Sequence, residues 1–327
     1  MTELATPLVL CVPSKGRLQE NSNSFFARAG LDVVQARGAR DYRGGLAQMP
    51  GVEIAFLSAA DIVAQLASGA AHLGVTGEDL VRETLPDADA RLEMLAPLGF
   101  GHANVVVAVP QAWIDVRNMA DLEDVAGAFH ARRGERMRVA TKYVRLTRAF
   151  FAAHGVTDYR IVESLGATEG APAAGQAELI VDIATTGATL KANGLKVLDD
   201  GVMLQSEANL VASVKADWSP AHRDLARRIL ARIEAEEAAR TSREVRAYGL
   251  VLGSPLLAQA ADLFGAVPRR ADGAALTVLS APKAQAAALS DWLIGHGAEH
   301  VGVATLDYVF AARNGLYERL VARLGAV

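Results

Sequence analysis

One segment of this chain carries most of the chemistry its residues could perform: Glu178-Leu-Ile-Val-Asp-Ile-Ala-Thr-Thr-Gly-Ala-Thr-Leu190. Its apolar run reads as a strand that delivers Asp182 to its carboxyl end, the edge where open α/β sheets take ligands. Small and hydroxylic residues follow at once: Ala184, Thr185, Thr186, Gly187, Ala188 and Thr189, leading into a helix. Free backbone N–H groups and the positive end of a helix make such a loop a cradle for phosphate. The threonines add hydroxyl donors with little bulk, and Gly187 lets the backbone approach an anion. An acid just ahead of a phosphate cradle is well placed to accept hydrogen bonds from sugar hydroxyls. The alternative is a plain strand, turn and helix in which the threonines cap the helix. No G-x-x-x-x-G-K-[ST] is present, and Gly99-Phe100-Gly101 lacks the third glycine of a dinucleotide fingerprint.

A second loop is basic. Pro13-Ser14-Lys15-Gly16-Arg17 follows the apolar run 8–12, so Lys15 and Arg17 stand at the carboxyl end of a strand. Their cations can converge on diphosphate or triphosphate, Arg as a bidentate fork and Lys as a point charge; a solvated basic loop is the bland alternative. Asp61, Glu78 and Asp79 fall at helix starts, where a carboxylate suits the dipole. The seven histidines show no convincing ligand spacing, so no metal-ligating residues are assigned. The one cysteine, Cys11, excludes an intrachain disulfide.

The elements that must position these residues alternate between short apolar runs and helical patterns, as in an α/β protein. Strands are expected at 8–12, 52–57, 69–77, 104–109, 138–141 and 178–183, with 131–135 a loose polar segment. A long Arg/Glu-rich helix over 220–239 ends in a candidate linker at 240–243. Beyond it, strands at 247–252, 276–280 and 300–306 alternate with helices at 255–264 and 283–295, suggesting a small ferredoxin-like sandwich.

With 327 residues, 51% of them hydrophobic, the chain suits more than one core and excludes disordered, coiled-coil and collagen-like classes. A net charge of −4 argues against non-specific nucleic-acid binding. The first apolar run lacks a preceding Lys or Arg and is cut by Pro13; no run reaches the ~18 apolar residues of a membrane span. No membrane partner and a cytoplasmic location are expected.

The loop 182–194 resembles the phosphoribosyl-diphosphate (PRPP) loop of phosphoribosyltransferases. Together with Glu163-Ser-Leu-Gly-Ala-Thr-Glu-Gly-Ala-Pro172, Pro13-Ser-Lys-Gly-Arg-Leu18, Asp61-Ile62, Leu73-Gly-Val-Thr-Gly-Glu-Asp-Leu80 and Arg138-Val-Ala-Thr-Lys-Tyr143, it resembles the ATP phosphoribosyltransferase family. The resemblance spans most of residues 8–215. It implies a transferase that condenses ATP with PRPP in the first step of histidine biosynthesis, with Mg²⁺ as cofactor. Glu169 resembles the family's second ribose-binding acid beside Asp182, and 184–189 its PRPP cradle. Lys15, Gly16, Arg17, Arg40, Asp61, Thr76 and Gly77 match its ATP side, with Lys15 and Arg17 also aiding the departing diphosphate.

The implied fold is α/β: a two-lobed, periplasmic-binding-protein-like core plus an ACT-like, ferredoxin-type domain. Residues 1–104 and 195–240 would form lobe one, 105–194 lobe two, and 241–327 a regulatory or assembly domain. In the family that domain senses L-histidine as feedback inhibitor and helps form a homo-oligomer, a hexamer or dimer. The rival readings are a solute-binding protein and a non-catalytic regulatory subunit of the same fold.

Overall fold

Three β-sheets organise the chain in a computed structural model that describes residues 6–35, 42–164, 166–272 and 275–325. The first has seven strands, in the order Val33–Gln35, Arg43–Leu46, Met49–Leu57, Leu8–Pro13, Leu73–Gly77, Ala208–Ser213 and Leu92–Pro97. Leu8–Pro13 pairs in parallel with Met49–Leu57 and with Leu73–Gly77. This central strand is apolar almost throughout because both faces are covered. Leu8, Leu10 and Val12 enter one core, and Cys11 packs on the opposite face.

The second sheet runs Leu195–Leu204, Asn104–Pro110, Leu179–Ala184, Met137–Thr141 and Tyr159–Glu163. Val105, Val107 and Val109 face one core while Val106 and Ala108 face another. Two crossovers, 98–103 and 205–207, join the lobes and bond to each other. Leu98 N–H donates to the Ala208 carbonyl (2.9 Å), Ala208 N–H to Phe100 (2.9 Å) and Ala103 N–H to Ser206 (2.8 Å). The core is thus the expected two-lobed α/β arrangement.

Several boundaries differ from the sequence reading. The chain does not return to the first lobe at 195: Leu195–Leu204 still pairs with Asn104–Pro110, and the return is made at Ala208. Asp199-Asp200-Gly201 sits in an irregularity of that strand, between the register at Val197 and at Val202. The segment 131–135 is largely the end of a helix, Met119–Arg133, whose basic last turn is solvated and closed by Gly134 at φ +69°.

There is also no linker at 240–243, because the helix Pro220–Thr241 passes directly into the strand Ser242–Tyr248. The polar residues there complete the helix end. Ser242 Oγ donates to the Ala238 carbonyl (2.6 Å), and Arg243 Nη1 donates to Ala239 and Ser242 (3.4 and 2.6 Å).

The third sheet is antiparallel, in the order Val267–Asp272, Leu276–Pro282, Ser242–Tyr248 and His300–Ala304. Helices Ser254–Phe264 and Ala286–Gly295 complete a β-α-β-β-α-β ferredoxin-type unit. Its second strand in chain order, VPRRAD, escaped the sequence reading because it is an edge carrying proline and charge rather than alternating apolar residues.

Past this unit the chain goes back to the first lobe. Helix Gly315–Gly325 buries Leu320 fully in the first-lobe core, and Arg319 Nη1 donates to the Leu95 carbonyl at 2.9 Å. Arg323 pairs with Glu93 at 3.3 Å, and Tyr308 Oη donates to the Arg28 carbonyl at 3.0 Å. The last residues therefore pack with lobe one and not with the expected 241–327 unit. Among the described residues no helix is long and apolar enough to cross a membrane.

Candidate active site

Each lobe presents the carboxyl ends of its parallel strands. In the first, Pro13 is level with Leu57, and Ser14 N–H donates to the Leu57 carbonyl at 2.9 Å. Lys15–Arg17, Ser58–Asp61 and Thr76–Gly77 therefore share one sheet edge. Lys15 and Arg17 are exposed, and Gly16 between them has φ +69°, a left-handed turn that suits glycine.

Thr76 and Asp61 both make structural hydrogen bonds, Thr76 from a buried position and Asp61 from an exposed one. Thr76 is fully buried and its hydroxyl donates to the Ala59 carbonyl at 3.2 Å. Asp61 forms a reciprocal helix cap: Ser58 Oγ accepts from the Asp61 N–H (3.2 Å) and donates to Asp61 Oδ2 (2.6 Å). Asp61 caps its helix and its side chain stays exposed at the sheet edge. Arg40 lies outside the described residues.

In the second lobe, strands Met137–Thr141 and Leu179–Ala184 run parallel, with Leu179 level with Val139 and Ile180 with Ala140. Arg138 and Glu178 pin this register at the amino ends through Arg138 N–H to Glu178 Oε2 and Nη2 to Oε1, both 2.6 Å. Continued to the carboxyl ends, the register brings Asp182 level with Lys142. Asp182 is half-buried and accepts the Ile183 N–H at 2.8 Å. Burial, together with the negative charge of Glu169, pushes its carboxyl above the ordinary range, against the pull of that N–H and of Lys142.

Asp182, Glu169 and Lys142 thus form one electrostatic corner. Lys142 did not emerge among the sequence candidates. The signal was available in Arg138-Val-Ala-Thr-Lys-Tyr, where a cation follows a second parallel strand beside that of Asp182. Lys142 is exposed, and its ammonium lies 4.9 Å from the Tyr143 ring centroid.

Glu169 sits in a single 3-10 turn, Thr168–Gly170. The loop is tied internally by Thr168 Oγ1 donating to Ser164 Oγ and by Gly170 N–H donating to the Ala167 carbonyl, both at 3.0 Å. Ala167 has φ +49°, a conformation costing a non-glycine residue about 1 kcal/mol or more, which the surrounding bonds hold in place.

The cradle residues follow Asp182 directly. Ala184 closes the strand opposite Asn104, and Thr185 Oγ1 donates to the His102 carbonyl at 2.8 Å. Thr186 Oγ1 accepts the Ala188 N–H at 3.4 Å, a weak local turn contact. Gly187 has φ +73° and opens the short helix Ala188–Ala192, while Thr189 is exposed. With five residues that helix carries little dipole, so an anion here would rely on backbone N–H groups and hydroxyls. The crossover 98–103 touches both loops: Gly101 abuts Leu18 beside the basic loop, and His102 receives Thr185.

The comparisons agree with one another. The family model described as ATP phosphoribosyltransferase matches residues 58–235. A protein of Nitrobacter hamburgensis named ATP phosphoribosyltransferase is 59% identical over 98% of this chain and 99% of its own length. One of the same name from Bradyrhizobium diazoefficiens shares 59% identity over the same shares of both chains. Among solved structures, the ATP phosphoribosyl transferase (HisG:HisZ) complex from Thermotoga maritima aligns with TM-score 0.53 and 23% identity, covering 69% of this chain and 98% of that one. That last likeness speaks to the fold.

Proposed function

The chain belongs to the ATP phosphoribosyltransferase family, and from that premise we propose how its two sheet edges divide the reaction. The enzyme is a pentosyltransferase of histidine biosynthesis that condenses ATP with PRPP to give N1-(5-phosphoribosyl)-ATP and diphosphate. PRPP sits on the second lobe, its ribose hydroxyls on Asp182 and Glu169 and a phosphate on the 184–189 loop. The observation carrying this placement is the corner at the end of Leu179–Ala184, where Asp182 keeps acceptor capacity beside Glu169 and directly before the loop. ATP lies toward the first lobe, with Lys15, Gly16 and Arg17 at its phosphates and the Gly77 turn nearby. Thr76 and Asp61 support that edge through the hydrogen bonds they already make.

Adenine N1 donates its lone pair to the anomeric carbon of PRPP, and the bond from that carbon to oxygen breaks with its electron pair leaving on diphosphate. A proton is then lost from the exocyclic amino group. The transition state carries positive charge on the ribose, which the carboxylates of Asp182 and Glu169 stabilise. Negative charge grows on the leaving oxygen, where Lys15 and Arg17 act. Among the described residues no group of three or more His, Cys, Asp or Glu side chains is placed to hold a metal ion. One or two acids plus substrate phosphate oxygens suit Mg²⁺, with Asp182 and Glu169 the acids in place, and bound Mg²⁺ would supply charge neutralisation at the diphosphate.

The ferredoxin-type unit is the proposed regulatory or assembly domain, with L-histidine as inhibitor and a homo-oligomer as the working form. The reaction is tested directly: purified protein with Mg²⁺, ATP and PRPP should release diphosphate and form the N1 adduct, and chelation should stop it. Product from orotate or a free purine base, and none from ATP, would overturn the reading. Binding of PRPP with no diphosphate released would favour a non-catalytic relative instead.

A further inference from the structure

A buried joint connects the lobes behind the proposed site. Asp79, in the first turn of helix Glu78–Thr84 in lobe one, is only 6% exposed. Its Oδ2 accepts the hydroxyl of Tyr143 from lobe two at 2.7 Å. Its Oδ1 accepts Ser206 Oγ from the second crossover at 3.0 Å, and Ser206 Oγ in turn accepts the Asp79 N–H at 3.0 Å. One carboxylate thus holds a residue of the opposite lobe and a residue of the hinge. Gly77 completes the fit, since a Cβ there would collide with Asp79 Oδ1.

The same helix makes a second attachment one turn later. Glu83 accepts the N–H groups of Arg145 and Leu146, both at 2.9 Å, and its carbonyl receives Arg145 Nε at 3.1 Å. Helix Val144–Ala153 has no side-chain cap from its own N-cap residue, Tyr143, so a carboxylate from the other lobe supplies it. Tyr143 is fully buried, and it follows Lys142, whose ammonium packs on its ring. A movement of Tyr143 would therefore carry the cation beside Asp182 with it.

We propose that the Asp79–Tyr143 hydrogen bond is an interlobe latch that fixes how the first lobe's nucleotide-side loops meet the ribose corner, making both residues positioning residues for the transfer. The inference rests on PRPP being held by the second lobe. The residues assigned to the ribose and phosphate of PRPP lie on that lobe, whereas Lys15 and Arg17 of the first lobe meet its diphosphate as it departs. The transfer therefore needs both lobes at a set separation, and small misplacements of reacting groups are costly. The latch therefore acts on kcat and leaves PRPP binding alone.

The test uses full-length Tyr143→Phe, which keeps the ring and removes the hydroxyl. Saturated kcat should fall roughly 10- to 100-fold, while the PRPP dissociation constant measured by calorimetry without ATP stays within about twofold. Asp79→Asn leaves one acceptor oxygen where the carboxylate has two, so it cannot accept from both Tyr143 and Ser206, and its kcat should fall in the same direction by a smaller factor with PRPP binding unchanged. Should Tyr143→Phe fail to fold, Ser206→Ala removes the carboxylate's other partner and should lower kcat in the same way by a smaller factor. A folded Tyr143→Phe enzyme with kcat within about twofold of the parent would overturn the latch, as would a parallel loss of PRPP affinity. PRPP binding that survives Asp182→Asn would instead sink the placement of PRPP, a failure read in a different variant and a different measurement.

Discussion

Asp182 and Asp79 invite comparison because both stand at the carboxyl ends of apolar strands, Asp182 within the last residues of its strand and Asp79 just after its own, on edges where an α/β cleft takes its ligands. Their surroundings differ. Both oxygens of Asp79 are engaged by hydroxyls from the other lobe and the hinge, and the side chain is buried. Asp182 is half-buried, takes a backbone N–H, and shares its corner with another acid. Position at a strand end thus marks a candidate, and remaining acceptor capacity separates a group that can hold substrate from one that holds the fold. Asp182 fits the first description and Asp79 the second.

The largest effect that would break this contrast is on stability. Asp79→Ala removes the acceptor of two hydrogen bonds to a buried charged group, each typically worth 1.5–3 kcal/mol, so a loss of roughly 3–5 kcal/mol is expected in urea unfolding. Asp182→Ala, lacking such partners, should stay within about 0.5 kcal/mol of the parent, the range of sites without special contacts. Equal losses at the two positions would remove the distinction.

Next in size is a purely apolar site. Leu320 is fully buried in the first-lobe core although it lies beyond the ferredoxin-type unit. Leu320→Ala should cost roughly 3 kcal/mol. A chain ending at Arg240 should unfold or aggregate, because it uncovers that core. Removing 243–304 and rejoining the ends would test the catalytic lobes while keeping helix Gly315–Gly325 in place.

These cases show what the sequence could disclose. The strand carrying Asp182 and its turn into a helix were legible because the pattern is local: an apolar run, one acid, then small hydroxylic residues and a glycine. The parallel strands of the lobes were legible from continuous apolar runs. Strand 267–272 was not, since an edge strand needs no apolar alternation, and helix 119–133 was hidden by its solvated basic end. The linker at 240–243 was misread because arginine and serine that cap a helix look in sequence like a solvated connector. Asp79 was read as a helix-start acid; its tie to Tyr143 spans 64 residues and no local pattern encodes it. Lys142 gained meaning only once the register set its strand beside that of Asp182.

On the proposed reading, Asp182→Asn should lower kcat/KM by roughly 10- to 150-fold, the equivalent of a charged hydrogen bond at about 1.5–3 kcal/mol, with folding intact. Parental kinetics in a folded Asp182→Asn enzyme would make the loop structural and place Asp182 beside Asp79. Smaller still is Glu83→Ala, which uncaps Arg145 and Leu146 and should cost about 1 kcal/mol in urea unfolding. A loss above about 3 kcal/mol would mean that the interlobe cap, and not Asp79, dominates the joint.

The smallest effect concerns pH, and its sign distinguishes the two corners. Burial, then the charge of Glu169, holds the Asp182 carboxyl above the ordinary range. An acid raised on folding binds more protons in the folded chain than in the unfolded chain between its two pKa values, so stability falls as pH rises through that window. Above the folded value the full penalty of holding the charge applies; below the unfolded value, near roughly pH 4, it is gone. Asparagine is neutral throughout, so free Asp182→Asn should melt above the parent at pH 7 and the difference should shrink toward pH 4. Saturating PRPP with Mg²⁺ should reverse the order at pH 7, because ligand stabilises the parent more than a variant that binds it weakly. Calorimetric melts across this range check both statements. A variant that melts below the parent at pH 7 without ligand would show Asp182 held by stabilising contacts, as Asp79 is, and the line drawn between the two acids would fail.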